Sequence, residues 1–147
     1  MKKIAPEEIE RRLERLGKAC RDAGLRMTHQ RLEIFREIAV TDEHPDAETI
    51  FNRVRERLPT VSLDTVYRTL ASLEQMGLLS RVDPTGGRAR YDANCDSHHH
   101  FICTQCGSID DVYLNEDIPL PEGIEDLGSA ESLHLQVHGV CNQCRKQ

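Results

Sequence analysis

Two Cys-x-x-Cys couples constrain this chain more than any other feature of its sequence. The first couple is Cys103 and Cys106, and the second is Cys141 and Cys144 near the end of the chain. A tight turn lets both sulfurs of such a couple face one ion, and four thiolates suit tetrahedral Zn²⁺. The 34 intervening residues (107–140) exceed the roughly 15–20 residues usual in zinc ribbons. We therefore expect a structural zinc that joins two ends of a domain, the alternative being unbound or redox-active thiols.

Three consecutive histidines stand just before the first couple. Side chains on a β-strand alternate between its two faces, so His98 and His100 are expected to share one face, with His99 and Cys103 on the other. A lone histidine is usually an ordinary surface or core residue, and we assign that role to His99. The alternating pair lies beside a zinc knuckle and several aspartates, and it predicts a second metal site on the same strand.

Composition limits the location and the class of the protein. The 147 residues suit one domain or two small ones, and no apolar run approaches the roughly 18 residues of a membrane span. Residues 1–6 lack the apolar core of a secretory signal, so we expect a cytoplasmic protein without a membrane partner. Six cysteines in such a chain favour metal binding over disulfides.

Charge is distributed unevenly along the chain. The net charge of −6, taken over the whole chain, argues against a nucleic-acid partner. Residues 1–92 hold 17 Lys+Arg and 16 Asp+Glu, a net charge of +1, whereas residues 93–147 hold 2 and 9, a net charge of −7. A polyanionic partner is therefore expected to bind the first part of the chain.

The first part of the chain has helical periodicity. Apolar residues recur at steps of three and four over residues 7–23, which predicts an amphipathic helix. Thr28 is a typical N-cap for a second helix. Asp46 is expected to cap a third helix, which Pro59 ends, and Ser62 is expected to open a fourth helix over Leu63–Met76.

The third and fourth helices are joined by a short turn, as in a helix-turn-helix. The exposed face of the fourth carries Thr65, Tyr67 and Arg68, groups that suit contact with base edges in a major groove. Residues 78–82 and 88–92 predict a β-hairpin whose return arm carries two arginines, Arg88 and Arg90. Together these elements predict a winged helix; the alternative is a helical bundle with ordinary surface arginines.

The second part of the chain has the pattern of strands. We expect strands over residues 98–103, 108–114 and 132–139, the last with Leu133, Leu135 and Val137 facing inward. Prolines and glycines interrupt residues 116–130, which leaves room for one short helix at most.

With these residues in view, the chain resembles the Fur family of metal-dependent repressors over nearly its whole length. The resemblance is carried by Arg26-Met27-Thr28-His29-Gln30-Arg31, His44-Pro45, Thr65-Val66-Tyr67-Arg68-Thr69-Leu70, Asp92, His98-His99-His100 and the two Cys-x-x-Cys couples. It implies an α+β protein with an amino-terminal winged-helix domain (1–91) and a small carboxy-terminal α/β dimerisation domain (92–147). It also implies a structural Cys₄ zinc and a regulatory metal at the hinge.

The resemblance further implies the regulatory ligands, which are His44, Asp92, His98, His100 and Asp111. The strand pattern alone does not choose Asp111 over Asp110. Imidazoles and carboxylates suit Fe²⁺ or Mn²⁺, because no thiolate biases the site toward Zn²⁺.

Two aspartates place the chain within that family. Iron-sensing relatives usually have Glu at the positions of Asp92 and Asp111, whereas the peroxide-sensing (PerR) branch uses Asp at both, as here. A further site of the iron-sensing branch draws on positions 97, 99 and 133. Here these positions hold Ser97, His99 and Leu133, so we expect that site to be missing.

The expected function is that of a homodimeric, metal-dependent transcriptional repressor, which releases its double-stranded DNA operator when peroxide oxidises a histidine ligand. Tyr67 and Arg68 are expected at base edges with Thr65 beside them, and Arg26, Arg88 and Arg90 at phosphates or in the minor groove. Metal ion and peroxide are the only small molecules expected to act on it.

Three alternatives remain open. The nearest is an iron or other metal-uptake regulator of the same fold that does not sense peroxide. A metalloenzyme is disfavoured, because no nucleophile with a partnered base stands out and the deaminase His-x-Glu signature is absent. The third is a zinc-containing thiol oxidoreductase.

Overall fold

The computed structural model describes residues 3–147, which form two compact units. The winged-helix unit ends at Cys95, and the sheet unit is Asp96–Gln147. None of the helices within the described residues combines the length and apolar character needed to cross a lipid bilayer.

Four helices build most of the winged-helix unit: α1 Pro6–Asp22, α2 His29–Ala39, α3 Ala47–Val54 and α4 Leu63–Gln75. The expected caps begin the last three, because the side chains of Thr28, Asp46 and Ser62 each accept a hydrogen bond from a backbone N–H three residues on. Each cap satisfies one of the amides that a helix start leaves without an intrahelical partner.

The core of this unit is mainly aliphatic and draws on all four helices. It includes Leu16 of α1, Ile34 of α2, Ile50 of α3 and Leu70 of α4, all fully buried. Cys20 also lies in this core, as its place on the apolar stripe of α1 predicts. Because the buried residues of α4 lie along one stripe, its opposite face remains exposed.

The third helix is shorter than expected. It ends at Val54 rather than at Pro59. The amides of Arg57 and Leu58 both donate to the carbonyl of Val54, at 3.0 and 2.9 Å, so the chain tightens into a turn. Arg57 of this turn donates to the carboxylates of Glu33 and Glu37 on α2, and these contacts hold the residues after Val54 in a turn instead of in further helix.

A β-hairpin follows the fourth helix. β1 (Ser80–Val82) pairs antiparallel with β2 (Arg90–Asp92), with Arg81 opposite Tyr91. Both strands are shorter than the residues 78–82 and 88–92 predicted from the sequence. Helix-turn-helix and hairpin together form the predicted winged helix.

The sheet unit has three strands in the order β4-β3-β5. β3 (His99–Cys103) pairs antiparallel with β4 (Ile109–Val112) and parallel with β5 (Gln136–Gly139). Two helices of four residues each complete the unit, α5 (Ile124–Leu127) and α6 (Asn142–Arg145). The single short helix expected in residues 116–130 is α5, and with this unit the α+β class is confirmed.

The prediction for the last strand was wrong in two respects. It covers only residues 136–139 of the expected 132–139. Leu135 and Val137 are exposed (38% and 43%) rather than facing a core, and Leu133 is half-buried. The physical reason is that the described part of this unit holds only eight helical residues, too few to cover both faces of a sheet.

Candidate metal centres and nucleic-acid interface

The four cysteines of the two couples meet at one end of the sheet unit. Their four sulfur atoms, of Cys103, Cys106, Cys141 and Cys144, all lie within 4.8 Å of one another. Cys103 is the last residue of β3, and the amide of Gly107 donates to its carbonyl, which closes the turn that contains the first couple. Cys141 is the N-cap of α6, and its side chain accepts a hydrogen bond from the amide of Cys144. Two tight turns therefore bring the couples together across 34 residues of sequence.

Hydrogen bonds shift the pKa values of these thiols in opposite directions. The backbone amides of Cys106 and Cys141 lower the pKa of Cys103 to about 6. The Ser108 hydroxyl lowers the pKa of Cys106, whereas the hydrogen bond with Cys141 raises the pKa of Cys144 to about 12. Four thiolates at this spacing repel one another, so full deprotonation requires a cation. The donor set and its turns fit a structural Zn²⁺.

A second group of ligand atoms stands on β3, on β4 and on the residue just before β3. His98 Nε2 lies 3.1 Å from His100 Nε2 and 3.4 Å from Asp111 Oδ1, and His100 Nε2 lies 3.6 Å from the same oxygen. Neighbouring ligands, each about 2.1 Å from one ion, lie roughly 3 Å apart. We call these three residues the histidine–aspartate set; their spacing fits a divalent cation.

Two backbone features orient this set. His100 is paired with Asp111 across the β3–β4 ladder, which places both side chains on one face. The Nδ1 of His98 lies 2.6 Å from the carbonyl oxygen of Asp96. Since a carbonyl only accepts, Nδ1 carries the proton, and the other ring nitrogen, Nε2, is the one that faces His100 and Asp111.

A third group lies in the winged-helix unit. His44 Nε2 is 3.1 Å from Asp92 Oδ2, and both residues are buried. The other carboxylate oxygen of Asp92 accepts a hydrogen bond from the amide of Asn94 at 2.8 Å. An imidazole and a carboxylate held this way, which we call the His44–Asp92 pair, suit a hard or borderline divalent metal.

The exposed face of α4 carries the residues predicted to contact bases. Tyr67 is 48% exposed and Arg68 points into solvent, where its Nε lies 3.0 Å from Asp64 Oδ2. The hydroxyl of Thr65 lies 2.8 Å from that of the cap residue Ser62. A ring, a cation and hydroxyls therefore share one accessible surface.

The three other predicted arginines differ in their surroundings. Arg26 is exposed before α2, and Arg88 is exposed on the hairpin, where it pairs with Glu48. Arg90 is half-buried and donates to the backbone carbonyls of His44 and Glu43. Its DNA contact stays a prediction, and these bonds indicate a different role.

The model of the ferric uptake regulator family matches residues 22–137 of the chain. The chain belongs to this family. Ferric uptake regulators are metal-dependent transcriptional regulators that bind DNA as dimers, and the predicted family resemblance is thereby confirmed.

Individual members of the family show similarity over nearly the full length. The peroxide-responsive repressor PerR of Staphylococcus aureus strain Mu50 is 32% identical over 142 residues, 95% of this chain and 95% of the relative. The chain is also similar to the structure of the ferric uptake regulator Fur of Helicobacter pylori, which is described with three functional metal-binding sites. The TM-score is 0.73 at 25% identity, and the match covers 100% of this chain and 99% of the Helicobacter pylori chain. A zinc uptake regulator complexed with zinc and DNA has a TM-score of 0.65 at 25% identity, with 94% and 95% covered.

Some supporting residues were not foreseen from the sequence. Asn94 holds Asp92 through an Asx-type bond two residues on, a signal that the pattern Asp-x-Asn already carried. Asp64 stands four residues before Arg68, the usual spacing of a helical ion pair. The hydrogen bonds of Arg90 reach residues that lie 46 and 47 positions away in the sequence, so no local sequence pattern predicts them.

Proposed function

We propose that this chain is a dimeric repressor that binds operator DNA when a regulatory Fe²⁺ or Mn²⁺ is bound, and releases the DNA after peroxide oxidises a histidine ligand. The observation that carries the proposal is the histidine–aspartate set, whose nitrogen and oxygen donors stand at ligand spacing without any thiolate. Such donors accept Fe²⁺ and Mn²⁺.

The regulatory ion would be held by both groups of N/O donors, the His44–Asp92 pair and the histidine–aspartate set. Three neutral imidazoles and two carboxylates provide a charge of −2, which balances a divalent cation. Support comes from the orientation of His98, whose Nε2 faces the other donors of its set, and from the Asp92 carboxylate fixed by Asn94. The four cysteines would hold a separate structural Zn²⁺.

Metal binding would control DNA binding by thermodynamic coupling. The two donor groups belong to different units, so an ion bound by both favours those arrangements in which all five side chains reach it. If these are also the arrangements in which two winged helices fit an operator, metal and DNA each raise the affinity for the other.

Sensing of peroxide would require a metal that can be oxidised. A ferrous ion held by these residues would supply the redox chemistry, and the net result would be that one oxygen atom of hydrogen peroxide is added to a ligand imidazole while the other leaves as water. An imidazole of His44 or His98 that gains oxygen becomes a poorer ligand, so the metal affinity falls and the operator is released. The relation to a peroxide-responsive repressor at 32% identity supports this choice within the family.

DNA contact would fall on the exposed face of α4. Tyr67 and Arg68 would touch base edges with Thr65 beside them, and Arg26 and Arg88 would lie near phosphates or the minor groove. The exposure of these side chains supports the assignment. The DNA complex of the zinc uptake regulator supports duplex DNA as the partner.

The second copy would cover apolar side chains of the sheet unit. Leu135 and Val137 of β5, Tyr113 after β4 and Leu127 of α5 are exposed, the last by 86%. Large apolar side chains left exposed are the kind of surface that a second copy would cover, and ferric uptake regulators are dimers.

The decisive experiment compares the zinc-replete protein loaded with Fe²⁺ and with Mn²⁺. After brief exposure to peroxide, we expect the Fe²⁺ form to release operator DNA and to gain the mass of one oxygen atom on the peptide of His44 or His98. The Mn²⁺ form should keep both its mass and its DNA. Equal release from both forms would identify a metal-uptake regulator without peroxide sensing.

A further inference from the structure

The loop that joins α2 to α3, residues 40–46, brings His44 to its position beside Asp92. Among residues 3–147, His44 is the only residue other than glycine with a positive φ, at 53°. This left-handed backbone is uncommon for residues with a side chain and persists where the surroundings determine it. His44 is nevertheless buried and its Nε2 faces the carboxylate. Something must hold this loop.

Arg90 supplies much of that restraint from the opposite side. Its Nε donates to the carbonyl of His44, and its Nη2 donates to the carbonyl of Glu43 at 2.8 Å. Two neighbouring carbonyls are thus held by one planar guanidinium, whose donors have a fixed fork geometry.

The backbone of β2 continues the same connection. The amide of Tyr91 donates to the carbonyl of Pro45 at 3.0 Å, and Arg90 forms a β-bridge with Asp46. Asp92, the carboxylate beside His44, follows on the same strand. Three consecutive residues of β2 therefore hold the loop, bond to it or face its histidine.

We propose that Arg90 is a positioning residue for the regulatory metal: by binding the carbonyls of Glu43 and His44, it presents the His44 imidazole as a ligand next to Asp92. The inference rests on the proposed regulatory site and gives Arg90 a task other than contact with DNA. Residues that orient metal ligands typically contribute about 10- to 100-fold to metal affinity.

The test is Mn²⁺ affinity of zinc-replete protein in the absence of DNA, measured by electron paramagnetic resonance. Arg90→Ala is expected to weaken Mn²⁺ binding at least about tenfold. The matched control is Arg81→Ala, which removes an exposed arginine from the other strand of the hairpin and should leave the affinity unchanged. If Arg90 acts only on DNA, both variants bind Mn²⁺ as the wild type does, and the proposal is overturned.

Arg90→Lys separates positioning from charge. Lysine keeps the positive charge but lacks the planar fork, so we expect Mn²⁺ affinity to stay well below that of the wild type. Full recovery with lysine would contradict the proposal. Arg90→Lys also tests the proposal if Arg90→Ala fails to fold.

Hydrogen exchange without metal gives an independent readout. Arg90→Ala should speed exchange in the peptide that covers residues 40–47 and leave α1 and α4 protected, whereas a general loss of stability would speed exchange throughout the unit. His44→Ala distinguishes the two levels of inference. If His44→Ala binds Mn²⁺ as the wild type does, His44 is not a ligand and the proposed regulatory site is overturned. If His44→Ala binds Mn²⁺ weakly while Arg90→Ala binds it normally, only the positioning role of Arg90 is overturned.

Discussion

Glu33 shows how a single buried charge is accommodated in this protein. Glu33 lies on α2 and is buried, and its carboxylate accepts hydrogen bonds from Arg57 at 2.7 Å and from Arg36 at 3.1 Å. The hydrogen bond from Arg57 holds the pKa of Glu33 below its ordinary value, against the opposing effect of burial. The bond also ties the turn after α3 to α2, so one side chain connects two elements of the unit.

The lowered pKa of Glu33 predicts a specific pH dependence. Glu33→Gln should reduce the free energy of unfolding by about 1 kcal/mol at neutral pH, a modest value because Arg57 is half-exposed. Because the pKa of Glu33 is lower in the folded than in the unfolded protein, its ionised carboxylate stabilises the fold fully at pH values above the unfolded-state pKa of about 4.3. This stabilisation is lost as the pH falls through the folded-state pKa.

Urea unfolding of wild type and variant across acid and neutral pH measures this difference. The gap between the two proteins should close at acid pH. Glu14→Gln, on the exposed face of α1, is the control and should show no gap at any pH. A gap for Glu33→Gln that stayed constant down to acid pH would show that the ionised carboxylate is not the cause.

At the scale of elements, α4 combines two tasks through its helical period. Val66, Leu70 and Leu73 are fully buried and hold the helix against the core, while Tyr67 and Arg68 face outward. The buried stripe fixes the rotation of the helix, so it also fixes which side chains are offered to a partner. The DNA contacts proposed for these side chains would thereby come from a rigid element rather than from a loop.

Substitutions on α4 and on the hairpin should affect DNA binding differently. Tyr67→Ala is expected to relax sequence preference, because it removes a contact with base edges. Arg88→Ala should weaken binding to all sequences alike and reduce the salt slope by about one, because it removes a phosphate contact.

Binding to operator and to unrelated duplexes, measured over a range of salt, tests this division. Arg21→Ala removes an exposed charge from α1 and controls for a general loss of positive charge. An equal loss of preference from Tyr67→Ala and Arg88→Ala would count against it.

At the scale of the whole molecule, the two units depend on different sources of stability. The winged-helix unit has a mainly aliphatic core built from four helices. In the described part of the sheet unit, the buried apolar residues are Ile102, Cys103 and Ile109. So small a core rarely stabilises a unit by itself, which makes a structural metal and a second copy the natural additions.

Loss of the proposed structural zinc should therefore unfold the sheet unit selectively. Cys144→Ser is expected to abolish stoichiometric zinc, to expose the β3 and β5 amides to rapid hydrogen exchange and to leave a monomer. The helices α1 to α4 should keep their circular dichroism. Cys95→Ser is the control, since this exposed thiol lies outside the four-cysteine cluster and should leave zinc content unchanged. Persistent protection of β3 and β5 without zinc would show that the metal is dispensable for this unit.

Much of the fold and of the candidate sites follows from the sequence, because the signals involved are local. A cap needs only an acceptor three residues from an amide, so Thr28, Asp46 and Ser62 predicted the helix starts correctly. Alternation along a strand placed His98 and His100 side by side. The spacing of the cysteines predicted their meeting, because four thiols in two tight turns suit one ion. The roles of these residues in metal binding remain predictions.

Tertiary structure decided whatever depends on residues distant in the chain. It ended α3 at Val54, left Leu135 and Val137 exposed, and turned Arg90 toward the loop of His44. Burial depends on which surfaces the other elements cover, and the partners of a long side chain depend on what folding brings within its reach. Periodicity along the chain records neither. The sequence by itself thus determined the elements and the donor types, and the tertiary structure alone decided how His44 is held beside Asp92.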